Sequence, residues 1–236
     1  MAKAYSSEYA VRRELAQTAR LFEALDLFDM NGHVSVRSDG GCFIHSAPVP
    51  RQTVGTDDII EVNGDGVIVS GDGDVPNEIW LHLEIYRARP EIRAIAHFHS
   101  HWTNILTAAR VQPRPVNSVA CVLGEIPVYP DPDSISTAER GRSVASVLGS
   151  NRVLVLRAHG AVVTGSSFEE VLVASKYLEL NSEQQLFTHS LSKDAGLSAT
   201  EVERLGRALW VPKNVSKAWQ YYFTKAVRSG RFLPVD

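Results

Sequence analysis

The run from Ala94 to Trp102 places His97, His99 and His101 at alternate positions where an apolar segment ends. In a strand, successive side chains alternate between faces, so His97 and His99 project together and Phe98 projects to the other side. Two imidazoles on one face at the end of a buried strand begin a divalent-metal site; the same pattern also suits core histidines satisfied by hydrogen bonds. His101 shares the alternation only if the strand continues, and Ser100 with the stretch from Trp102 to Arg110 reads as a turn into a helix. A third ligand from elsewhere decides between the two uses. His159 has the right surroundings, because it follows the continuous apolar strand Val153–Leu156, precedes Gly160 and leads into a strand over 161–165. Alone, it fits a structural role as well as a ligand.

The elements that must position these residues are legible in the pattern. Residues 7–28 read as an amphipathic helix with Leu15, Ala19, Phe22 and Leu25 on one face. Met30-Asn31-Gly32 is a break, His33–Arg37 alternates as a strand, and Asp39-Gly40-Gly41 turns into a hairpin partner over Cys42–His45. Ser46 to Gly55 is an aperiodic loop. Residues 57–62, the Asn63-Gly64 turn and residues 67–70 read as strand, turn, strand. Asn77 is a good N-cap, which places Glu78 at the first position of a helix running to about Ala88, with His82 one turn on along the same face. The helix macrodipole favours a carboxylate there, so Glu78 is a helix-start residue as readily as a chemical one. Ser136 to Leu148 reads as helical. Ser167-x-x-Glu170 is a capping box that opens a long helix with Val173, Tyr177, Leu180, Gln184 and Phe187 along one face, and Ser198-x-x-Glu201 caps another. A final helix from Asn214 to Arg228 carries Trp219, Tyr221, Tyr222 and Phe223, aromatic surface that expects burial against the body or a neighbouring subunit. The interspersed helices and hairpin-like strands predict one α/β domain over residues 1–236, layered around a mixed, largely antiparallel sheet, with a helical tail from about 212.

Composition narrows the function classes. The chain of 236 residues is 44% hydrophobic and 22% charged, within the ordinary globular range. A net charge of -3 argues against nucleic acid or an anionic membrane surface as partner. Two cysteines, Cys42 and Cys121, are too few for a disulfide framework and suit a reducing compartment, hence a cytoplasmic protein. The first residues lack an apolar signal core, and no run approaches the roughly 20 apolar residues of a membrane span.

The order of the parts carries a resemblance. A helix precedes Asn31-Gly32-His33-Val34-Ser35-Val36-Arg37, an acidic residue opens the helix from Asn77 to Pro90, and Ala96-His97-Phe98-His99-Ser100 and His159-Gly160-Ala161-Val162-Val163-Thr164-Gly165 follow. From about residue 8 to 190 this resembles the class II aldolase/adducin family. The resemblance implies an α/β/α domain, commonly a homotetramer with active sites at subunit interfaces. It also implies three metal-binding histidines at His97, His99 and His159. Glu78 falls on the family's proton-transferring residue or additional ligand. One divalent ion per chain is expected, either zinc, manganese, iron or cobalt, and the presence of all four side chains disfavours the non-catalytic adducin branch.

Departures from the family pattern point to a branch. The Ser-Ser pair that helps the sugar-phosphate enzymes hold phosphate is replaced by Pro76 and Asn77, and the Gly-Asn-x-Ser phosphate loop by Gly32-His33-Val34-Ser35. The nearest ungapped positions to the aldolases' proton-donating tyrosine are Asn117 and Ser118. The run from Asn31 resembles the decarboxylases of hydroxylated aromatic dicarboxylates. A small carboxylate substrate is therefore expected, with His33 catalytic beside Glu78, and with Asn31, Gly32, Arg51 and Arg157 in substrate binding, the arginines because a guanidinium pairs bidentately with a carboxylate. His45 is a further candidate for lining the pocket. The alternatives are an aldolase acting on a hydroxy-keto acid or sugar, less so an epimerase or non-haem iron oxygenase, and an interaction protein that kept the fold without the chemistry.

Overall fold

The computed structural model describes residues 7–193 and 195–235; the N-terminal stretch read for a signal core lies largely outside them. Eight strands form one sheet in the order β4-β3-β2-β1-β5-β8-β7-β6. They are β1 (His33–Arg37), β2 (Gly41–His45), β3 (Ile59–Asn63), β4 (Ile68–Ser70), β5 (Ala94–Phe98), β6 (Val128–Tyr129), β7 (Val153–Leu156) and β8 (Gly160–Gly165). Only β6 and β7 pair in parallel, so the sheet is mixed and mostly antiparallel, as the hairpin patterns require.

Alternation along the strands sorts the core into two layers. Val34, Val36, Ala94, Ala96 and Phe98 join the cluster beneath α1 (Glu8–Ala24) and α5 (Phe168–Leu191), whereas Ile44, Ile60, Ile95 and Leu154 join the cluster beneath α2 (Ile79–Ala88) and α4 (Ala138–Leu148). Gly141 permits the second layer: a Cβ there would stand 2.4 Å from the Trp80 carbonyl oxygen, so only glycine lets α4 lie this close to α2. The remaining helices are α3 (His101–Ala108), α6 (Ala199–Leu209) and α7 (Pro212–Arg228). Among the described residues no helix is long and apolar enough to cross a membrane.

Local expectations need correction at several points. Asn77 does not cap α2; its side-chain amide donates to Ser134 Oγ at 2.9 Å, and Glu78 itself occupies the cap position. The Ser167 hydroxyl accepts from the Glu170 N–H, but the Glu170 carboxylate turns to the Ser166 N–H, so the full capping box forms only at Ser198 and Glu201 of α6. The face of α5 does not remain buried, since Leu180 is partly exposed and Phe187 is 61% exposed. In α7 the expectation divides: Trp219, Tyr222 and Phe223 pack on the first core cluster, and Tyr221 stays exposed.

Candidate metal centre

Strand β5 stops at Phe98, and His97 and His99 both turn toward the α2 side, their ring centroids 5.5 Å apart. His159 arrives from the β7–β8 turn. Ala158 has φ +52°, a left-handed conformation unusual for a side-chain-bearing residue, and two bonds from α3 support the turn. The Thr107 hydroxyl accepts from the Ala158 N–H at 3.0 Å, and the Asn104 amide donates to the His159 carbonyl at 2.9 Å. Gly160 then passes so close to β5 that a Cβ would meet the Phe98 carbonyl oxygen at 2.5 Å, which accounts for a glycine directly after His159. Glu78, at the mouth of α2, completes the group, its Oε1 accepting the Ile135 N–H at 2.8 Å.

One ligand atom from each of Glu78, His97, His99 and His159 lies within 4.8 Å of all the others. The chemistry of these atoms fits a cation. His97 Nδ1 lies 3.1 Å from the Ala161 carbonyl oxygen, which can only accept, so the proton sits on Nδ1 and a lone pair is left on Nε2. That buried Nε2 has no hydrogen-bond partner, and it faces Glu78 Oε2 at 3.2 Å. His99 Nδ1 likewise donates to Asp29 Oδ2 at 2.9 Å, which leaves its Nε2 as an acceptor. His159 Nε2 lies 3.6 Å from Glu78 Oε1. Two imidazole lone pairs thus meet a carboxylate, and a divalent ion satisfies such a set. His99 and His159 are only partly buried, so the cluster opens to solvent on their side.

Electrostatics follow from this enclosure. Burial alone pushes the Glu78 carboxyl up, but His159 and His97 outweigh it and hold the group well below the usual carboxylate range. Burial pulls His97 down, against the pull of Glu78. His33, fully enclosed and flanked by His82 and His97, is held far below the ordinary histidine value. Burial also acts first on Asp29 and raises it, yet the N–H groups of Asn31 and Gly32 together with His99 bring it below its ordinary value.

The other expected site residues occupy distinct places. His33 pairs across the sheet with His97, and its Nε2 stands 4.0 Å from Glu78 Oε2. Asn31 is exposed, and its N–H donates to Asp29 Oδ1. Gly32 is buried, and its carbonyl accepts from Arg51 Nε at 2.6 Å. The Arg51 guanidinium also donates to the carbonyls of Ala47 and Val49. Arg157 Nε donates to the Pro130 carbonyl at 2.7 Å. His101 opens α3, exposed against Trp102 and outside the cluster, as the turn at Ser100 implies. His45 is buried with its Nε2 unpartnered. Sequence reasoning missed Asp29, whose signal is an acidic residue just before the Asn31-Gly32 turn, and it gave no role to Ser35, His82 or Tyr86.

Comparison with known proteins places this geometry in a family. The description "Class II Aldolase and Adducin N-terminal domain" matches residues 13–186. The chain belongs to the class II aldolase and adducin family. It is 28% identical over 184 residues to a 3,4-dihydroxyphthalate decarboxylase of Terrabacter sp., covering 71% of this chain and 77% of that one. It is 27% identical over 169 residues to the meiotically up-regulated gene 14 protein of Schizosaccharomyces pombe, covering 69% of this chain and just under two thirds, 66%, of that protein. The fold is similar to that of an L-fuculose 1-phosphate aldolase from Glaciozyma antarctica, with a TM-score of 0.82 and 17% identity over 98% of this chain and 96% of that one.

Proposed function

We propose that the protein is a divalent-metal-dependent C–C lyase that decarboxylates a hydroxylated aromatic acid of the dihydroxyphthalate type. The observation that carries the reading is the imidazole of His33 beside Glu78 and His97, where the family's sugar-phosphate enzymes carry a phosphate-loop amide. The missing Ser-Ser hydroxyls support it, since Asn77 is tied to Ser134 and Pro76 is buried. The relative from Terrabacter, named for that reaction, supports it further. His97, His99, His159 and Glu78 would hold zinc, manganese, iron or cobalt, and the ion supplies Lewis-acid stabilisation of the negative charge that builds up as CO2 leaves.

The chain's own residues handle substrate and proton. Glu78 accepts the proton released when the substrate hydroxyl ionises and returns it to the ring carbon that has lost CO2. His33, neutral in its enclosure, faces a substrate oxygen. The Asn31-Gly32 turn and the guanidinium of Arg157 meet the second carboxylate. A cytoplasmic homotetramer with sites at subunit interfaces belongs to the same reading. The free cysteines and the exposed Leu180, Phe187 and Tyr221 support it.

The test is CO2 release from dihydroxyphthalates and related hydroxy acids, with each of the four metals supplied in turn. Turnover that is lost in Glu78→Gln is the expected result. No turnover with any metal, together with aldehyde release from a hydroxy-keto acid, would replace the decarboxylase with an aldolase.

A further inference from the structure

Toward α2, strand β1 presents His33 and Ser35, two residues apart; toward β1, helix α2 presents Glu78, His82 and Tyr86, each four residues from the last. The two polar rows interlock. His33 Nδ1 is 2.7 Å from His82 Nε2, His82 Nδ1 is 2.6 Å from Ser35 Oγ, and Ser35 Oγ is 2.9 Å from the Tyr86 hydroxyl. His33, Ser35, His82 and Tyr86 are all buried. A buried polar row of this length is tolerated only when each donor meets an acceptor.

That condition links the two rings but allows the row to run in either direction. A neutral imidazole has one donor and one acceptor nitrogen, so a choice at either end propagates through both rings. At the site end, His33 Nε2 faces Glu78 Oε2 at 4.0 Å, and a carboxylate attracts an N–H and repels a lone pair. The matched arrangement runs from the Tyr86 hydroxyl, 2.9 Å from Ser35 Oγ and a longer 3.4 Å from the Arg93 carbonyl oxygen, to Ser35, then from the Ser35 hydroxyl to His82 Nδ1, and from His82 Nε2–H to His33 Nδ1. His33 Nε2–H is left pointing into the pocket. This is the reverse of His97 and His99, which carry the proton on Nδ1 and turn Nε2 lone pairs inward. Burial pushes His82 down to about 3, so the row works with uncharged rings.

We propose that His82, Ser35 and Tyr86 are positioning residues that hold His33 as its neutral Nε2–H tautomer, making it a hydrogen-bond donor to an anionic substrate oxygen rather than a further metal ligand. The identity of that oxygen, a carboxylate or enolate, rests on the proposed function; the tautomer does not.

Nitrogen NMR of the full chain labelled in histidine, metal-free and zinc-loaded, reads the tautomer without any turnover. The expected spectrum has His33 protonated at Nε2 and bare at Nδ1, with a coupling across the bond to His82. Ser35→Ala removes the hydroxyl that donates to His82 Nδ1 and lets the row reverse. With only Glu78 left to select the tautomer, a fraction of His33 then shows protonated Nδ1, and a non-reactive aromatic dicarboxylate binds about twofold more weakly with zinc affinity unchanged. Tyr86→Phe keeps the Ser35 hydroxyl and with it the wild-type tautomer. His33 protonated at Nδ1 in the wild type, or a Ser35→Ala spectrum identical to wild type, overturns the proposal. The expected tautomers with no dicarboxylate binding would uphold the positioning row and remove the acid substrate alone.

Discussion

The carboxylate of Asp29 holds His99 by a 2.9 Å bond to Nδ1 while its other oxygen accepts the N–H groups of Asn31 and Gly32. One side chain therefore fixes both the tautomer of a proposed ligand and the turn that leads into β1. Carboxylate partners of this kind usually contribute 10- to 100-fold to metal affinity. Asp29→Asn keeps an acceptor for the turn but can present an N–H to His99, which forces the proton onto Nε2. The expected outcome is a 10- to 100-fold loss of zinc affinity by chelator competition, with the unfolding midpoint little changed. Unaltered affinity would show that His99 does not need Asp29 to present its lone pair.

Metal content tests the cluster as a whole. Elemental analysis of the purified wild type is expected to give about one transition metal per chain, and His97→Ala/His99→Ala none, because the double change removes two of at least three nitrogen ligands. Equal content in both proteins, or failure of the wild type to rebind added ions, would dissolve the site.

Much of this arrangement is written locally in the sequence, and the rest is not for identifiable reasons. The period-2 placement of His97 and His99, and the buried strand before His159, depend on nearest neighbours alone, which is why both can be read without coordinates. The hairpins β1–β2, β3–β4 and β7–β8 follow for the same reason, whereas the pairing of β5 with β1 and β8 joins distant segments and is not written locally. Asp29 escapes because its partner is 70 positions away, and an acidic residue before an Asn-Gly turn looks like ordinary turn chemistry. Asn77 leaves the cap of α2 because Ser134 draws off its amide, a tertiary contact that overrides a local preference. The polar row of His33, Ser35, His82 and Tyr86 shows its spacings in each segment separately, but only the layering of α2 on β1 reveals that the spacings belong together.

Acid should weaken the fold through histidines outside the metal cluster. Burial pushes both His45 and His82 down to about 3 in the folded protein, and unfolded they would titrate near the ordinary histidine value of 6.5. Between those limits the unfolded chain binds protons that the fold refuses, so stability is complete above the upper limit and falls with pH through the window. Each histidine contributes a slope of about 1.4 kcal/mol per pH unit there. Urea unfolding of metal-free protein from about pH 7 to 5 measures it, and His45→Gln is expected to shallow the slope by about one histidine's share. A slope that His45→Gln leaves unchanged would mean that His45 is already charged in the fold.

The two arginines proposed for carboxylate binding separate in stability measurements. Arg51 is 5% exposed and donates to the carbonyls of Gly32, Ala47 and Val49, a clamp on the segment that enters β1 and carries His33. Arg157 spends its Nε on the Pro130 carbonyl and is less buried. Removing a charged donor from buried carbonyls leaves acceptors unsatisfied, so Arg51→Ala is expected to lower stability by about 3 kcal/mol in urea unfolding. Arg157→Ala should change stability by no more than about 1 kcal/mol and instead raise the KM for the acid about tenfold. If Arg51→Ala kept full stability and lost acid binding, Arg51 would be free to reach the substrate, and its bonds to the backbone carbonyls would have to break when the acid enters.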